Sequence, residues 1–308
     1  MLAPKPYPKP IELRASPEGY PTIYYIETVM ACNLRCPECA IGSNATNRKR
    51  ELLTRAKFDE IWRKIKPHAQ LVYLHKWGEP TMNDDLPYYI EKVSRSAHSH
   101  IMTNGLLLNE EKIKGMLNAG LGTFIFSLDG VTQEVYEKYR VQGDCNLAWS
   151  NLKLAKRLID SSGSKTDLIA QFIVFKHNEH ELSLFKKKCD DIGVRYHIRT
   201  AYIRFGSVDT PTDSTHRRKI YDNPEDHHDA IKNCPFWSKI LTITVNGSNL
   251  LCSQDYDQQY KYGNLADPNT SLDDLWNDDN FVRLRDEIKS GAIPDICSSR
   301  CTIYPKSY

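Results

Sequence analysis

The chain has 308 residues and a formal net charge of +2 with acids and bases intermixed, so no electrostatic footprint for nucleic acid or for a membrane surface dominates. No apolar run approaches the ~20 residues needed to cross a bilayer. Nine cysteines without a secretion signal point to a reducing, cytoplasmic setting, where clustered thiols bind metal more often than they pair.

Met1 to Pro10 alternate Pro with Lys, Tyr and Ala and lack the apolar core of a signal, and residues 1–20 read as an extended arm. From Thr22 to Thr200 short β-branched or aromatic runs alternate with longer amphipathic stretches, the rhythm of βα units and a parallel sheet. The strand-like runs are Thr22 to Thr28, Gln70 to His75, Ser99 to Thr103, Thr123 to Leu128, Leu168 to Phe175 and Val194 to Thr200. Helical periodicity falls at Lys57 to Ile65, Leu86 to Val93, Glu110 to Leu117, Val131 to Tyr139, Trp149 to Ile159 and Glu179 to Ile192. Six such repeats over residues 21–204 make an α/β fold, a partial (β/α)6 version of the TIM-type barrel. In barrels of this kind the chemistry sits where strands run out into their βα loops, so polar residues at strand ends are the candidates.

The first run ends at Cys32-Asn33-Leu34-Arg35-Cys36-Pro37-Glu38-Cys39, three cysteines inside eight residues. Three thiols this close cannot pair among themselves, and thiolates suit iron and sulfide. A closed zinc knuckle needs a fourth ligand, and none of the next dozen residues is Cys or His, so it is the weaker reading. The spacing, three residues then two, resembles the signature of the radical S-adenosylmethionine (radical SAM) family. That resemblance implies a four-iron four-sulfur cluster on Cys32, Cys36 and Cys39, with one iron open to the methionine moiety of S-adenosylmethionine.

The later strand ends follow the same order. His75-Lys76-Trp77-Gly78-Glu79-Pro80 resembles the family's Gly-Gly-Glu-Pro motif with Trp77 in place of the first Gly, which implies that Gly78 and Glu79 hold the methionine ammonium. Alone, such a turn is a plain loop. Met102-Thr103-Asn104-Gly105 and Ser127-Leu128-Asp129-Gly130, the latter followed by Tyr136 and Arg140, are ordinary turn residues taken singly. In order, they imply that Asn104, Ser127, Asp129 and Arg140 contact the ribose and the methionine carboxylate. Glu38 departs from the family, many of whose members carry an adenine-packing aromatic just before the third cysteine. Gln171 on the fifth run and His197 on the sixth face the substrate mouth, where they can orient a hydroxyl or amine or take a proton.

Residues 205–230, rich in Asp, Thr, Pro and charge and including Arg217 and Arg218, read as a linker or substrate-side loop. Residues 231–308 carry Cys234, Cys252, Cys297 and Cys301, separated by seventeen, forty-four and three residues. Asn246-Gly247 inside Ile240 to Leu251 signals a hairpin, and Phe281 to Ile288 a helix. Such a segment buries too little core alone, so a metal would be its staple. A four-cysteine zinc site remains open on the residues alone. After a barrel that resembles radical SAM enzymes, the set looks like the twitch form of the SPASM-type auxiliary domain. That likeness implies a small α+β domain whose second four-iron four-sulfur cluster is fully ligated and acts as an electron conduit.

The resemblance implies an oxidoreductase that cleaves S-adenosylmethionine to a 5′-deoxyadenosyl radical, takes a hydrogen atom from a substrate, and receives electrons from a flavodoxin- or ferredoxin-type reductant. Loss of a proton and an electron gives dehydrogenation; return of hydrogen from a thiol gives epimerisation. Cys145 is the tentative thiol donor, whereas Cys189 sits at helical spacing with Leu182, Phe185 and Ile192 and reads as packed. The expected substrate is a small polar metabolite such as an aminocyclitol, sugar or amino acid. A ribosomally made peptide is the alternative, and a non-catalytic metal-binding protein the remote one.

Overall fold

The computed structural model describes Leu13, residues 19–217, Ile231 and residues 234–300. Its centre is a parallel sheet of β1 (Ile23–Ile26), β2 (Leu71–Tyr73), β3 (His98–Thr103), β4 (Thr123–Ser127), β5 (Asp167–Val174) and β6 (Arg195–Thr200). Each strand pairs in parallel with the next, so all six run out at the same end. The helices between them are α1 (Arg55–Ile65), α2 (Leu86–Ser94), α3 (Glu110–Asn118), α4 (Gln133–Glu137), α5 (Cys145–Ser162) and α6 (Leu182–Ile192). Six βα units in an open barrel are what the sequence rhythm predicts.

Local chemistry sets the boundaries. Thr54, Asn109 and Asp144 cap α1, α3 and α5, each side chain accepting a backbone N–H of its first turn. The Asp144 cap starts α5 four residues earlier than the apolar period suggests, which places Cys145 at its first position. The expected helix over Val131 to Tyr139 shortens because the Glu181 carboxylate accepts from the backbone of Val131 and Thr132 and from the Thr132 hydroxyl. Thr132 stays extended, and α4 begins after it.

Alternate strand residues point to opposite faces. Tyr24, Ile26, Val72, Ile101, Phe124, Phe126, Ala170 and Phe172 join Phe58, Ile61, Ile90, Ile113, Leu152 and Phe185 of the helices in one continuous core. The opposite, barrel-facing set includes Tyr25, Tyr73, His100, Gln171 and His197.

The carboxy-terminal region contains β7 (Ile240–Ile243), β8 (Ser248–Leu250) and β9 (Lys261–Asn264), then α7 (Leu272–Trp276), α8 (Asp279–Ser290) and α9 (Asp295–Arg300). The hairpin predicted at Asn246-Gly247 forms between β7 and β8. It does not stand apart. Strand β7 pairs in parallel with β1, Ile23 opposite Ile240 through Ile26 opposite Ile243, so the sheet runs β6-β5-β4-β3-β2-β1-β7-β8-β9. Leu241, Ile243, Leu265, Trp276 and Phe281 share the barrel's core. Docking on the barrel therefore supplies the apolar burial that the segment lacks alone, and a metal is not its only staple.

Candidate active site

After β1 the chain turns into the cysteine loop, and its shape is set locally. The Arg35 guanidinium donates from Nη1 to the carbonyls of Cys32 (3.0 Å) and Leu34 (2.9 Å). The Cys39 amide donates to the Cys36 carbonyl at 3.1 Å. Gly42 folds back so closely that a Cβ there would stand 2.4 Å from the Cys36 carbonyl oxygen, so only glycine fits. The three thiols are free and close together, and the neighbouring sulfurs add to the raised pKa of Cys32 and Cys36. Burial pushes Cys32 up to about 12 and Cys36 to about 11. Thiols held that high keep their protons at neutral pH unless a cation displaces them, as metal ligation does. Three soft donors that cannot form a disulfide framework and lack a base of their own fit an iron–sulfur cluster. Among the described residues no three His, Cys, Asp or Glu side chains surround one point as a single-ion site requires. A cubane instead takes each thiolate on a different iron.

The strand ends close around this loop. A Cβ on Gly78 would meet the Val29 carbonyl oxygen at 2.1 Å, and the Glu79 amide donates to the Ala31 carbonyl at 2.8 Å. The Gly-Glu-Pro turn is thus clamped to the residues just before Cys32. The Glu79 carboxylate is buried. Its Oε1 accepts from the Thr81 amide (3.1 Å), the Thr81 hydroxyl (2.6 Å) and the Thr103 hydroxyl (2.6 Å), and its Oε2 from the Asn104 amide (2.8 Å). Oε2 keeps capacity for a further donor. Burial raises this carboxyl's pKa against the pull of its four donors. Asn104 donates from Nδ2 to Asn33 Oδ1 at 2.8 Å and lies 3.9 Å from Cys32 Sγ.

Asp129 leaves β4 with φ 54°, left-handed, and its Oδ1 accepts from the Ile173 amide at 2.6 Å. Its Oδ2 is 2.5 Å from Arg140 Nη2, while Arg140 Nη1 is 3.7 Å from Cys36 Sγ. One guanidinium thus ties the fourth strand end to the cysteine loop. Ser127, buried at the end of β4, is opposite Gln171, and Gln171 is opposite His197. In parallel register these three lie side by side on one face. Gln171 donates from Nε2 to Met102 Sδ at 3.6 Å, and its buried Oε1 has no hydrogen-bond donor among the described residues. Burial, then the Arg199 charge, push His197 down to about 4, so the ring is neutral at physiological pH.

The same face carries an aromatic and basic group that the sequence reading did not single out as a unit. Tyr25 stacks on Tyr73 at 4.3 Å between centroids, and Tyr73 lies 4.4 Å from His100 and 5.6 Å from His75. Burial, then Lys76, hold His75 at about 3. Phe236, two residues past Cys234, lies 6.1 Å from Tyr25, so the carboxy-terminal region reaches the barrel interior. The Lys76 ammonium stands 5.1 Å from each of the Tyr25 and Trp77 rings.

Glu38 explains the missing aromatic. Its carboxylate is buried and accepts from the amides of Arg204 (2.5 Å), Phe205 (2.7 Å) and Ser207 (2.6 Å), which pins the segment after β6 onto the cysteine loop. The clue available in the sequence was an acid inside a metal-binding loop, where a bare negative charge is costly unless donors surround it.

Cys145 and Cys189 lie in the helix-side core, as packing predicts for Cys189. The Cys145 thiol donates to the Val131 carbonyl at 3.4 Å, and the structure does not bring it to the face of Gln171 and His197. Cys234, Cys252 and Cys297 are half-buried; Cys301 and Arg218 lie outside the described residues. Cys252 accepts from the Gln254 amide at 3.4 Å and is close enough to Lys76 to influence its charge.

Among the described residues no helix is long and apolar enough to cross a membrane. Comparison with known proteins matches residues 26–182 to the model of the radical SAM superfamily and residues 234–302 to that of an iron–sulfur cluster-binding domain, SPASM. The chain is similar to an S-adenosyl-L-methionine-dependent 2-deoxy-scyllo-inosamine dehydrogenase of Niallia circulans, 22% identical over 284 residues that cover 89% of this chain and 90% of that one. A PqqA peptide cyclase of Granulibacter bethesdensis is 29% identical over 161 residues, 51% of this chain and 40% of the cyclase. Streptococcus suis SuiB bound to S-adenosylmethionine shares the fold at a TM-score of 0.68 and 16% identity, covering 87% of this chain and 68% of SuiB. The matches take in both cysteine regions, so iron–sulfur clusters and S-adenosylmethionine are the cofactors, and the chain belongs to the radical SAM superfamily.

Proposed function

We propose that this enzyme is an oxidoreductase that removes a hydrogen atom from a small polar metabolite, an aminocyclitol, sugar or amino acid, and completes a dehydrogenation or an epimerisation. In this reading Cys32, Cys36 and Cys39 hold the first cluster. Cys234, Cys252, Cys297 and Cys301 hold the second. When bound and reduced, the first cluster and S-adenosylmethionine supply a radical able to break a C–H bond that no ordinary side chain can break.

The protein's own part is to bind and orient. Glu79 Oε2 and the backbone at Gly78 take the methionine ammonium, with Asn104, Ser127 and the Asp129–Arg140 pair around the rest of the cosubstrate. Arg140, tied to Asp129, presents its charge toward Cys36, where the methionine carboxylate would sit. The Gln171 acceptor is positioned to orient a substrate hydroxyl. His197, held neutral, can take the proton that an alcohol must shed as it becomes a ketone.

The observation that carries this reading is the alignment with the inosamine dehydrogenase over nine-tenths of both chains. The peptide reading draws on the partial match to the peptide cyclase. Anaerobic reconstitution followed by turnover of candidate metabolites in deuterated water tests it. A product two mass units lighter marks dehydrogenation, and solvent deuterium retained on carbon marks epimerisation. No release of 5′-deoxyadenosine from S-adenosylmethionine in the presence of any metabolite, with release in the presence of a precursor peptide, would hand the assignment to the peptide.

A further inference from the structure

Three stretches of chain meet beside the cysteine loop: residues 38–46, the segment after β6, and the turn after Cys252. One side chain, Arg204, joins them. Its backbone is fixed first, because the buried Glu38 carboxylate accepts from the amides of Arg204 and Phe205. Its guanidinium then reaches both ways, donating from Nη1 to the Glu38 carbonyl at 3.0 Å and from Nε to Gln254 Oε1 at 2.9 Å. The Glu38 carbonyl belongs to the peptide unit that leads into Cys39, and the N–H of that unit donates to the Cys36 carbonyl at 3.1 Å. At the far end the Gln254 amide donates to Cys252 Sγ at 3.4 Å. Two flanking contacts brace the same junction: the Phe205 ring stands edge-on to Tyr256 at 6.3 Å, and the Thr46 hydroxyl donates to the Tyr256 carbonyl at 3.3 Å. Hydrogen bonds thus run from the loop of Cys36 and Cys39 through Arg204 to the sulfur of Cys252.

From this line of contacts we propose that Arg204 is a positioning residue that couples the two cysteine sites, so that the reduction potential of the carboxy-terminal cluster responds to occupancy of the amino-terminal one by its cosubstrate. The bridge rests on the reading of Cys252 as a ligand of the second cluster and adds a link between the two sites. Hydrogen bonds to sulfur help to set the potential of an iron–sulfur cluster, and outer partners orient the ligands themselves. The Gln254 amide is such a donor, and Arg204 holds the side chain of the same residue. A guanidinium is planar and its donors keep fixed mutual angles, so a small shift of the peptide between Glu38 and Cys39 is passed on to Gln254 instead of being absorbed by a flexible stem. A lysine ammonium would keep the charge but not that fixed angle. An acceptor coupled in this way is tuned for its electron only when the cosubstrate is seated.

The test is a dithionite titration of fully reconstituted protein followed by electron paramagnetic resonance, each cluster taking one electron, with and without saturating S-adenosylhomocysteine. This probe keeps the amino, carboxylate and adenosine groups of the cosubstrate but lacks the sulfonium, so no turnover is needed. C36A supplies the signal of the second cluster alone and should not respond to the probe. In the parent the probe should shift the second cluster's redox equilibrium about tenfold, which is ~59 mV for one electron. R204M and Q254L should each lose that shift while keeping their iron and their affinity for the probe, and the double variant should lose no more than either, because both break the same link. R204K should lose it as well. If R204M sheds iron, Q254L decides, since it leaves the backbone donor to Cys252 in place. A full response in R204K would mean that charge alone suffices and overturns the bridge; so does a response that survives in both R204M and Q254L, or one missing from the parent. Iron analysis of C252A keeps the two readings apart. If C252A retains all of its iron, Cys252 is no ligand and the assignment of the second cluster falls together with the bridge, whereas iron loss in C252A beside an unresponsive parent sinks the bridge alone.

Discussion

The two cysteine regions solve one problem in opposite ways. In the amino-terminal loop the three thiols come from eight consecutive residues, and the bonds that shape them are nearly all local, from Arg35 to the Cys32 and Leu34 carbonyls and from Cys39 to Cys36. The strand ends then clamp the finished loop through Gly78, Asn104 and Arg140. In the carboxy-terminal region Cys234 precedes β7, Cys252 follows β8 and Cys297 sits in α9, so their arrangement exists only once β7 has docked on β1. A site built from neighbours tolerates distant strain, whereas one built across the fold is as stable as the docking that assembles it.

The largest effects should come from breaking either site at a ligand. C36A is expected to lose about half of the iron and all formation of 5′-deoxyadenosine, because in the proposed function the open iron and its cosubstrate belong to that loop. C252A is expected to lose a similar share of iron yet keep cleavage of S-adenosylmethionine while losing product. Iron analysis with product chromatography checks both. A C252A protein that cleaves no S-adenosylmethionine would mean that the two regions are not separable.

The next effect sharpens the contrast through folding. Ile243 is fully buried in the seam where β7 meets β1. I243A should cost about 2–5 kcal/mol, the range for truncating a buried branched side chain. Because the core is shared, we expect a single unfolding transition that moves as a whole in metal-free protein, read by calorimetry. Two separated transitions would restore the picture of a carboxy-terminal unit held mainly by its metal.

A smaller change touches the contact between the amino-terminal loop and the segment after β6. E38Q keeps the shape of the side chain but replaces a carboxylate that receives three amides with a weaker acceptor. We expect a loss of about 1–3 kcal/mol, scaled to hydrogen bonds to a charged group. Hydrogen exchange should rise at residues 204–207 while the iron content holds. A fall in iron would show that this carboxylate supports the cysteine loop itself.

Much of this contrast is legible in the amino-acid sequence. Alternating apolar runs mark βα units because strands covered on both faces are apolar throughout, and the cysteine spacing marks a loop whose ligands are local. The pairing of β7 with β1 leaves no local mark, since more than two hundred residues separate Ile23 from Ile240. The one signal available was Ile240–Ile243 itself, which is buried along its whole length instead of alternating as a solvent-facing hairpin does. Register was equally hidden. Gln171 and His197 could be named individually, but their lying beside Ser127 follows from the parallel alignment of three strands. Gly42 was missed, and Glu38 was named without its role, because their partners are backbone atoms, which no sequence pattern displays.

The smallest expected effect concerns a cysteine that belongs to neither region. A thiol that returns hydrogen to a substrate radical must reach the face of Gln171 and His197. Cys145 instead opens α5 on the helix side, donates to the Val131 carbonyl, and shares the core with Ala148 and Trp149. Burial also raises its pKa to about 11, so the thiol keeps its proton, and it is its position rather than its protonation that takes it away from the substrate face. C145A should therefore cost about 1 kcal/mol of stability, typical of a small buried truncation, and leave turnover and solvent deuterium in the product unchanged. Mass spectrometry of the product decides the matter. If C145A still forms 5′-deoxyadenosine but its product loses the solvent deuterium seen with the parent enzyme, the thiol reaches the substrate, and the helix layer behind β4 must open during the reaction.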